Sequence, residues 1–217
     1  MDRDHRRRET IAATVTAIGL CAGVWLIDHT PEGQAPPQPS PAEAAPSDLE
    51  EPTADPSISP LAPSHPLRVR IPAISVDAPV MELELEQDGS LQTPPEDNAN
   101  LTGWYRHGTA PGAIGTAIVA GHVDHATGPS VFYNLGALRK GHTVQVDRQD
   151  GSTAVFTIHA IEVYSRKDFP NKRVYGRSDR AELRLITCGG GYSESDGYLG
   201  NVVVYAHLTK VTSTSRL

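Results

Sequence analysis

A series of short β-type runs between residues 67 and 211 constrains the fold most strongly. Each run is rich in β-branched and aromatic residues, and clusters of Gly, Pro, Asp and Asn separate the runs. The runs are LRVRI, VDAPVMEL, TAIVAGHV, HTVQVD, TAVFTIHAIEVYS, ELRLITC and NVVVYAHLTKV. Short helical turns are predicted only near residues 131–138 and 177–180. Seven or eight strands within about 150 residues predict a single all-β barrel or sandwich.

The N-terminal residues predict a membrane anchor. The stretch 10–27 carries no charge and has the length of a short membrane-spanning helix. Three consecutive arginines, 6–8, precede it, which places residues 1–9 in the cytoplasm. A cleaved signal peptide is the alternative, although its apolar core is usually shorter and ends at a small-x-small site. We therefore expect a single-pass protein of the cell membrane whose remaining part is extracytoplasmic.

The segment 28–66 differs in composition from everything after it. It is rich in Pro, Ala, Ser and acidic residues and shows no apolar periodicity. Such a segment buries too little apolar surface to offset the entropy of ordering it, and its prolines favour extended conformations. It predicts a disordered stalk that holds a folded domain, residues 67–217, away from the membrane.

The chain has two cysteines, Cys21 in the apolar N-terminal stretch and Cys188 in the folded domain. Two distant cysteines do not make the disulfide framework of a small secreted protein. If Cys21 lies in the membrane, Cys188 is a lone thiol, either a small buried apolar residue or a nucleophile. The net charge of −7 does not favour a nucleic-acid partner, which would need a basic face.

Cys188 follows an apolar run and precedes three glycines in ELRLITCGGG, residues 182–191. Strand alternation places its thiol on the same face as Arg184 and Ile186, at the predicted end of the strand. Glycines allow backbone N–H groups to point at an anion, as the oxyanion of an acyl-transfer reaction requires. A tight turn with positive φ is the alternative interpretation of the same glycines.

His122 is the best candidate for the basic partner that a thiol of ordinary pKa needs. It closes the apolar run AIVAGHVD, so it also lies at a predicted strand end. His125, three residues further on, is the alternative. A metal held by His122, Asp124 and His125 is not predicted, because no further cysteine or acidic set stands at ligand spacing, and no cofactor is expected.

These motifs resemble those of a known family. GHVD at 121–124 and LITCGG at 185–190, in that order, resemble the signature of sortases, the surface cysteine transpeptidases of Gram-positive bacteria. GWYRHG at 103–108 and NVVVYA at 201–206 are similar to the class F, or actinobacterial, branch. The resemblance covers residues 67–211.

The resemblance implies a closed eight-stranded β-barrel and a two-step acyl transfer. Cys188 would attack the threonine carbonyl of an LPxTG-like sorting signal and form an acyl-thioester. His122 would protonate the leaving amine and later deprotonate the incoming one. The implied partners are sorting-signal proteins and a peptidoglycan precursor or other amine acceptor.

The chain departs from the family pattern at the third catalytic position. Sortases carry an arginine at the start of the last core strand, where this sequence has Leu199. Arg184, on the face of Cys188, and Asn201, two residues after Leu199, are the candidates to bind the oxyanion or the substrate in its place. A weakly active or inactive sortase-like binding module is the alternative function that this departure leaves open.

Overall fold

A computed structural model describes residues 35–45 and 58–213. The predicted cytoplasmic tail and membrane anchor lie outside these residues and remain predictions. Within the described ranges, none of the helices has the length and apolar character needed to cross a bilayer.

Ten strands, one short α-helix and three 3₁₀ turns make up the described part of the chain. The strands are β1 Pro66–Ile71, β2 Val76–Leu83, β3 Thr102–Tyr105, β4 Gly115–Gly121, β5 Asp124–His125, β6 Gly128–Pro129, β7 Thr143–Arg148, β8 Ser152–Ser165, β9 Ala181–Ser193 and β10 Gly197–Ser213. The helix is α1, Asn171–Tyr175, and the 3₁₀ turns are Pro41–Glu43, Pro72–Ile74 and Leu135–Ala137.

Eight strands close into one barrel in the order β1-β2-β3-β4-β9-β10-β8-β7, and β7 pairs with β1. The β2–β3 and β4–β9 pairs are parallel, and the other barrel pairs are antiparallel. The all-β prediction and the eight-stranded closed barrel are confirmed. Seven barrel strands coincide with the predicted runs, and the exception is β3, which is only four residues long.

The barrel interior is filled by alternate side chains of its strands. Leu183 and Leu185 of β9 are fully buried beside Val202 and Val204 of β10. The opposite face of these strands carries a second buried cluster outside the barrel, which includes Ile118, Ala160, Val174, Ile186, Val203 and Tyr205. Both faces are therefore covered here, and the outer cluster supports the surface on which the cysteine and histidine lie.

One helical prediction is confirmed and the other is wrong. The 3₁₀ turn Leu135–Ala137 lies inside the predicted range 131–138. Residues 177–180 are not helical, and α1 stands at Asn171–Tyr175 instead, where the N–H of Val174 donates to the carbonyl of Pro170. The carbonyl of Arg180 accepts a bond from the N–H of Gly115, so this segment already extends toward the β4–β9 pairing.

Part of the range predicted as a stalk lies against the barrel. We call residues 36–45 the strap. Lys140 binds it through the Glu43 carboxylate and two strap carbonyls at 2.7–2.9 Å, and the N–H of Ala45 donates to Glu162 at 2.9 Å. Prolines restrict the unfolded strap, which lowers the entropy cost of ordering it. Residues 46–57 lie outside the description, so the disordered stalk over 28–66 as a whole stays a prediction.

Candidate active site

The parallel pairing of β4 with β9 brings the histidine and the cysteine together. The register runs from Gly115 opposite Ala181 to Ala120 opposite Ile186. The ladder ends at this last pair, and His122 and Cys188 each lie two residues beyond it on their own segments. Both residues line the same groove, although 66 residues separate them in sequence.

The sequence predicted Cys188 at the end of its strand, and this prediction is wrong. Strand β9 continues to Ser193 because Gly189, Tyr192 and Ser193 pair with β10 beyond the end of β4. What ends near the cysteine is the neighbouring strand β4, at Gly121. The thiol is partly exposed for that reason, and Ile186 is the last residue of β9 with a β4 partner.

The ring of His122 is oriented by a backbone carbonyl. Its Nε2 lies 2.6 Å from the carbonyl oxygen of Pro94. A carbonyl oxygen only accepts, so Nε2 carries a proton and Nδ1 is the basic nitrogen of the neutral ring. The alternative base, His125, has both ring nitrogens in contact with its own hairpin, at 2.7 Å from the carbonyl of Gly128 and 3.2 Å from Oγ1 of Thr127.

Arg166 lies near the Cys188 thiol, and the sequence did not single it out. It follows the last residue of β8, and its guanidinium lies close enough to Cys188 to act on the pKa of the thiol. Burial raises the pKa of the thiol, while Arg166 lowers it, and the balance leaves the pKa raised. The resting group is therefore a neutral thiol with a cation beside it.

The β8–β10 ladder explains why an arginine from β8 reaches this position. Ser165 is paired with Gly200, and the N–H of Arg166 donates to the carbonyl of Leu199 at 3.0 Å. Arg166 is thus the cross-strand neighbour of Leu199, the position where the family pattern expects arginine. Directly opposite residues share a sheet face with their Cβ atoms about 5 Å apart. The cation near Cys188 therefore comes from the residue after β8, the strand next to β10.

Arg184 and Asn201, the two residues predicted to act in place of the family's arginine, have different surroundings. Arg184 is buried, forms an ion pair with Glu182 at 2.5 Å and lies over the Tyr205 ring at 4.4 Å. Its guanidinium is already held by these partners. Asn201 is paired with Cys188 in the β9–β10 ladder and lines the groove beside it, so it remains a candidate polar donor.

Comparison with known proteins agrees with this geometry. A family model described as "Sortase domain" matches residues 69–209, well over half of the chain. The chain belongs to the sortase family. Its members are cysteine transpeptidases. A search of curated proteins found no match.

Solved sortases share the fold at low sequence identity. Sortase A of Listeria monocytogenes is 16% identical, with a TM-score of 0.53 over 69% of this chain and 90% of that one. Sortase C-1 of Actinomyces oris is 21% identical, with a TM-score of 0.50 over 66% of this chain and 72% of that one. Sortase C1 of Streptococcus suis is 16% identical, with a TM-score of 0.52 over 70% and 77%.

A groove of about 910 Å³ runs from the cysteine across the outer face of β4 in this sortase. Thr116, Ile118 and Ala120 form part of its floor. Arg166 and Arg177 are among its walls, and the described residues that line it include no Asp or Glu. The groove is therefore positive in a chain whose net charge is −7.

The glycines after the nucleophile serve the fold as well as the site. Gly190 and Gly191 have φ values of +75° and +92°, which side chains rarely adopt, so the turn interpretation holds for both. The N–H of Gly190 donates to Oε1 of Gln38 in the strap at 3.2 Å. This N–H is not free to bind an oxyanion while the strap is in place.

The described part of this sortase contains no group of three or more His, Cys, Asp or Glu side chains placed to hold a metal. The prediction that no metal or cofactor is needed stays a prediction. The side chains present at the nucleophile, a thiol, an imidazole and a guanidinium, suffice for acyl transfer by nucleophilic and general acid–base catalysis.

Proposed function

We propose that this chain is a membrane-anchored, extracytoplasmic transpeptidase of the class F type. It cleaves a C-terminal sorting signal of the LPxTG kind and transfers the shortened protein to a cell-wall amine. One observation carries the proposal: His122 and Cys188 line one groove just beyond the last β4–β9 pair, and the guanidinium of Arg166, directly after β8, lowers the pKa of the thiol. A binding module without turnover would have no need for a cation at the thiol.

The first half-reaction follows from the protonation states. The thiol pKa is raised by burial, so Cys188 needs a base as it attacks. Nδ1 of His122 takes the thiol proton, because Nε2 is held by the carbonyl of Pro94. The sulfur bonds to the scissile carbonyl carbon, and the guanidinium of Arg166 stabilises the oxyanion. The protonated histidine then donates its proton to the leaving amine, and the thioester remains.

The second half-reaction reverses these roles with a new amine. The incoming amine gives a proton to His122 and attacks the thioester carbon. A C–N bond forms, the C–S bond breaks, and the electron pair returns to sulfur. A peptidoglycan precursor is the proposed acceptor, because the predicted anchor 10–27 would hold the barrel on the outer side of the membrane.

Acylation of the cysteine tests this function. The purified chain is incubated with a peptide carrying an LPxTG-like motif and with an amine acceptor, and products are followed by mass spectrometry. We expect an acyl adduct on Cys188 and a peptide–amine product, both absent from Cys188→Ala. Peptide binding with neither adduct nor product would instead support the binding-module alternative that Leu199 had left open.

A further inference from the structure

The carboxylate of Asp124 lies near the nucleophile and has no part in the reaction steps above. It follows His122 by two residues, in the short strand β5, and is partly buried. Burial is the main cause that raises the pKa of the Cys188 thiol, and the charge of Asp124 adds to it. The carboxylate is thus within electrostatic range of the sulfur, yet it does not line the groove that holds Cys188, His122 and Arg166.

Tyr198 holds this carboxylate in place. Its hydroxyl donates to Oδ2 of Asp124 across the gap between β5 and the start of β10. Burial, followed by this hydrogen bond, raises the pKa of Tyr198, so the phenol keeps its proton and acts as a donor. A carboxylate offers about four lone-pair positions, and among the described residues Tyr198 is its one side-chain donor, which leaves most of its accepting capacity unused.

A carboxylate at this place works against the first half-reaction. A negative charge near the thiol opposes formation of the thiolate, whereas Arg166 favours it. The Asp124 carboxylate can therefore assist only a step other than thiolate formation. In the second half-reaction a primary amine has to reach the thioester, and such an amine is a cation near neutral pH. The acyl group then occupies the groove, so the amine needs a site outside the groove lining.

We propose that Asp124, fixed by Tyr198, is the docking site for the ammonium group of the acceptor amine. The inference rests on the proposed function and adds the site of its second substrate, a primary aliphatic amine. The bound ammonium releases one proton to His122, and the neutral nitrogen attacks the thioester carbon. The C–N bond forms, the C–S bond breaks, and the pair returns to sulfur as thiolate. The second proton released from nitrogen passes to solvent.

The test compares two acceptors on one acyl-enzyme. The full chain is acylated with the LPxTG-like peptide, and the thioester is then partitioned between water and either n-propylamine, which is protonated near neutral pH, or hydroxylamine, which is neutral there. Asp124→Asn keeps an oxygen that accepts from Tyr198 but removes the charge. Asp196→Asn is the matched control. Asp196 is an exposed carboxylate between β9 and β10, on the hairpin that carries Tyr198, and it accepts hydrogen bonds from Ser193 and Ser195.

We expect Asp124→Asn to raise the KM for n-propylamine by about tenfold, the effect of losing one close ion pair. Thioester formation should not slow, because the Asp124 charge opposes thiolate formation, and the reaction with hydroxylamine should change by less than about twofold. Asp196→Asn should change neither. An unchanged KM for n-propylamine would overturn the proposal. Loss of thioester formation in Asp124→Asn would overturn it too, because an amine site is not needed for acylation. If the unsubstituted chain formed no thioester, the proposed function itself would fail.

Discussion

Replacing Arg166 with alanine should slow acyl transfer strongly while leaving the barrel folded. Arg166 is exposed, follows the last residue of β8 and lowers the pKa of the thiol, so its loss removes a cation without opening the core. Loss of one preorganised oxyanion donor costs about 10²–10³ in kcat. Solvent screens an exposed side chain, so the lower end applies: about 10²-fold in kcat/KM, or about 2.7 kcal/mol.

The assay follows cleavage of a fluorogenic LPxTG-like peptide, with thermal unfolding as the check on folding. Lys167→Ala is the matched control, because Lys167 is the adjacent exposed cation and is not among the groups that act on the thiol pKa. A second variant restores the family arrangement. Because the N–H of Arg166 bonds the carbonyl of Leu199, the double substitution Arg166→Ala with Leu199→Arg places the cation across the ladder.

The double variant should recover at least about tenfold of the lost kcat/KM, because residues opposite each other in a ladder share a sheet face. Activity of Arg166→Ala within about threefold of the unsubstituted chain would refute the assigned role. Equal losses in Arg166→Ala and Lys167→Ala would refute it as well, since the effect would then be one of overall charge.

Three further predictions concern the base, the strap and a buried histidine. His122→Ala should reduce turnover by about 10²–10⁴-fold, the usual contribution of a general acid–base, with unchanged thermal unfolding; retained turnover would contradict its role. Gln38→Ala removes the acceptor of the Gly190 N–H, so limited proteolysis of the strap should speed up while the free energy of unfolding changes by less than about 1 kcal/mol; an unchanged proteolysis rate would show that this bond does not hold the strap. Burial lowers the pKa of His159 to about 4 from 6.5, so the unfolded chain binds the proton first as the pH falls. The free energy of unfolding should therefore decrease by about 2 kcal/mol as the pH falls from 6.5 to 4. If denaturant titrations of His159→Gln showed the same dependence of the free energy of unfolding on pH, this assignment would be contradicted.

The alternation of apolar and polar residues predicted most of the barrel strands, because this alternation depends only on residues that are close together in sequence. Alternation along β7 and β8 marks the buried face directly, and these runs coincide with the observed strands. The short strand β3 has no such signal, since Thr102, Gly103 and Trp104 are all buried and do not alternate. Helix α1 follows Pro170, whereas composition had favoured a turn six residues later.

The pair at the site was predictable and its third member was not. Cys188 and His122 each adjoin a glycine after an apolar run, which is a local pattern. Arg166 is separated from Leu199 by 33 positions in sequence and meets it only because β8 and β10 pair antiparallel. Which strands pair with each other cannot be predicted from a short stretch of sequence. The signal that could have found it was an arginine directly after a long predicted strand, in YSRKD, but nothing local distinguishes it from other surface cations.

The strap shows how composition alone misses specific contacts. Its prolines and alanines lack the apolar pattern of a core element, yet Gln38, Glu43 and Ala45 each bond a particular partner on the barrel. Gly136 permits the close approach, because a Cβ there would lie 2.0 Å from the carbonyl oxygen of Pro37. Such contacts depend on barrel positions far away in sequence, so they become visible only once the barrel is folded.

The most direct test of the central claim is the mass of the intact chain after mixing with an LPxTG-like peptide. We expect the mass to increase by that of the acyl fragment, on Cys188 by peptide mapping. The increase should be absent from Cys188→Ala and lost when an amine acceptor is added. An adduct that persists in Cys188→Ala, or a chain that binds the peptide without ever gaining the acyl mass, would contradict it.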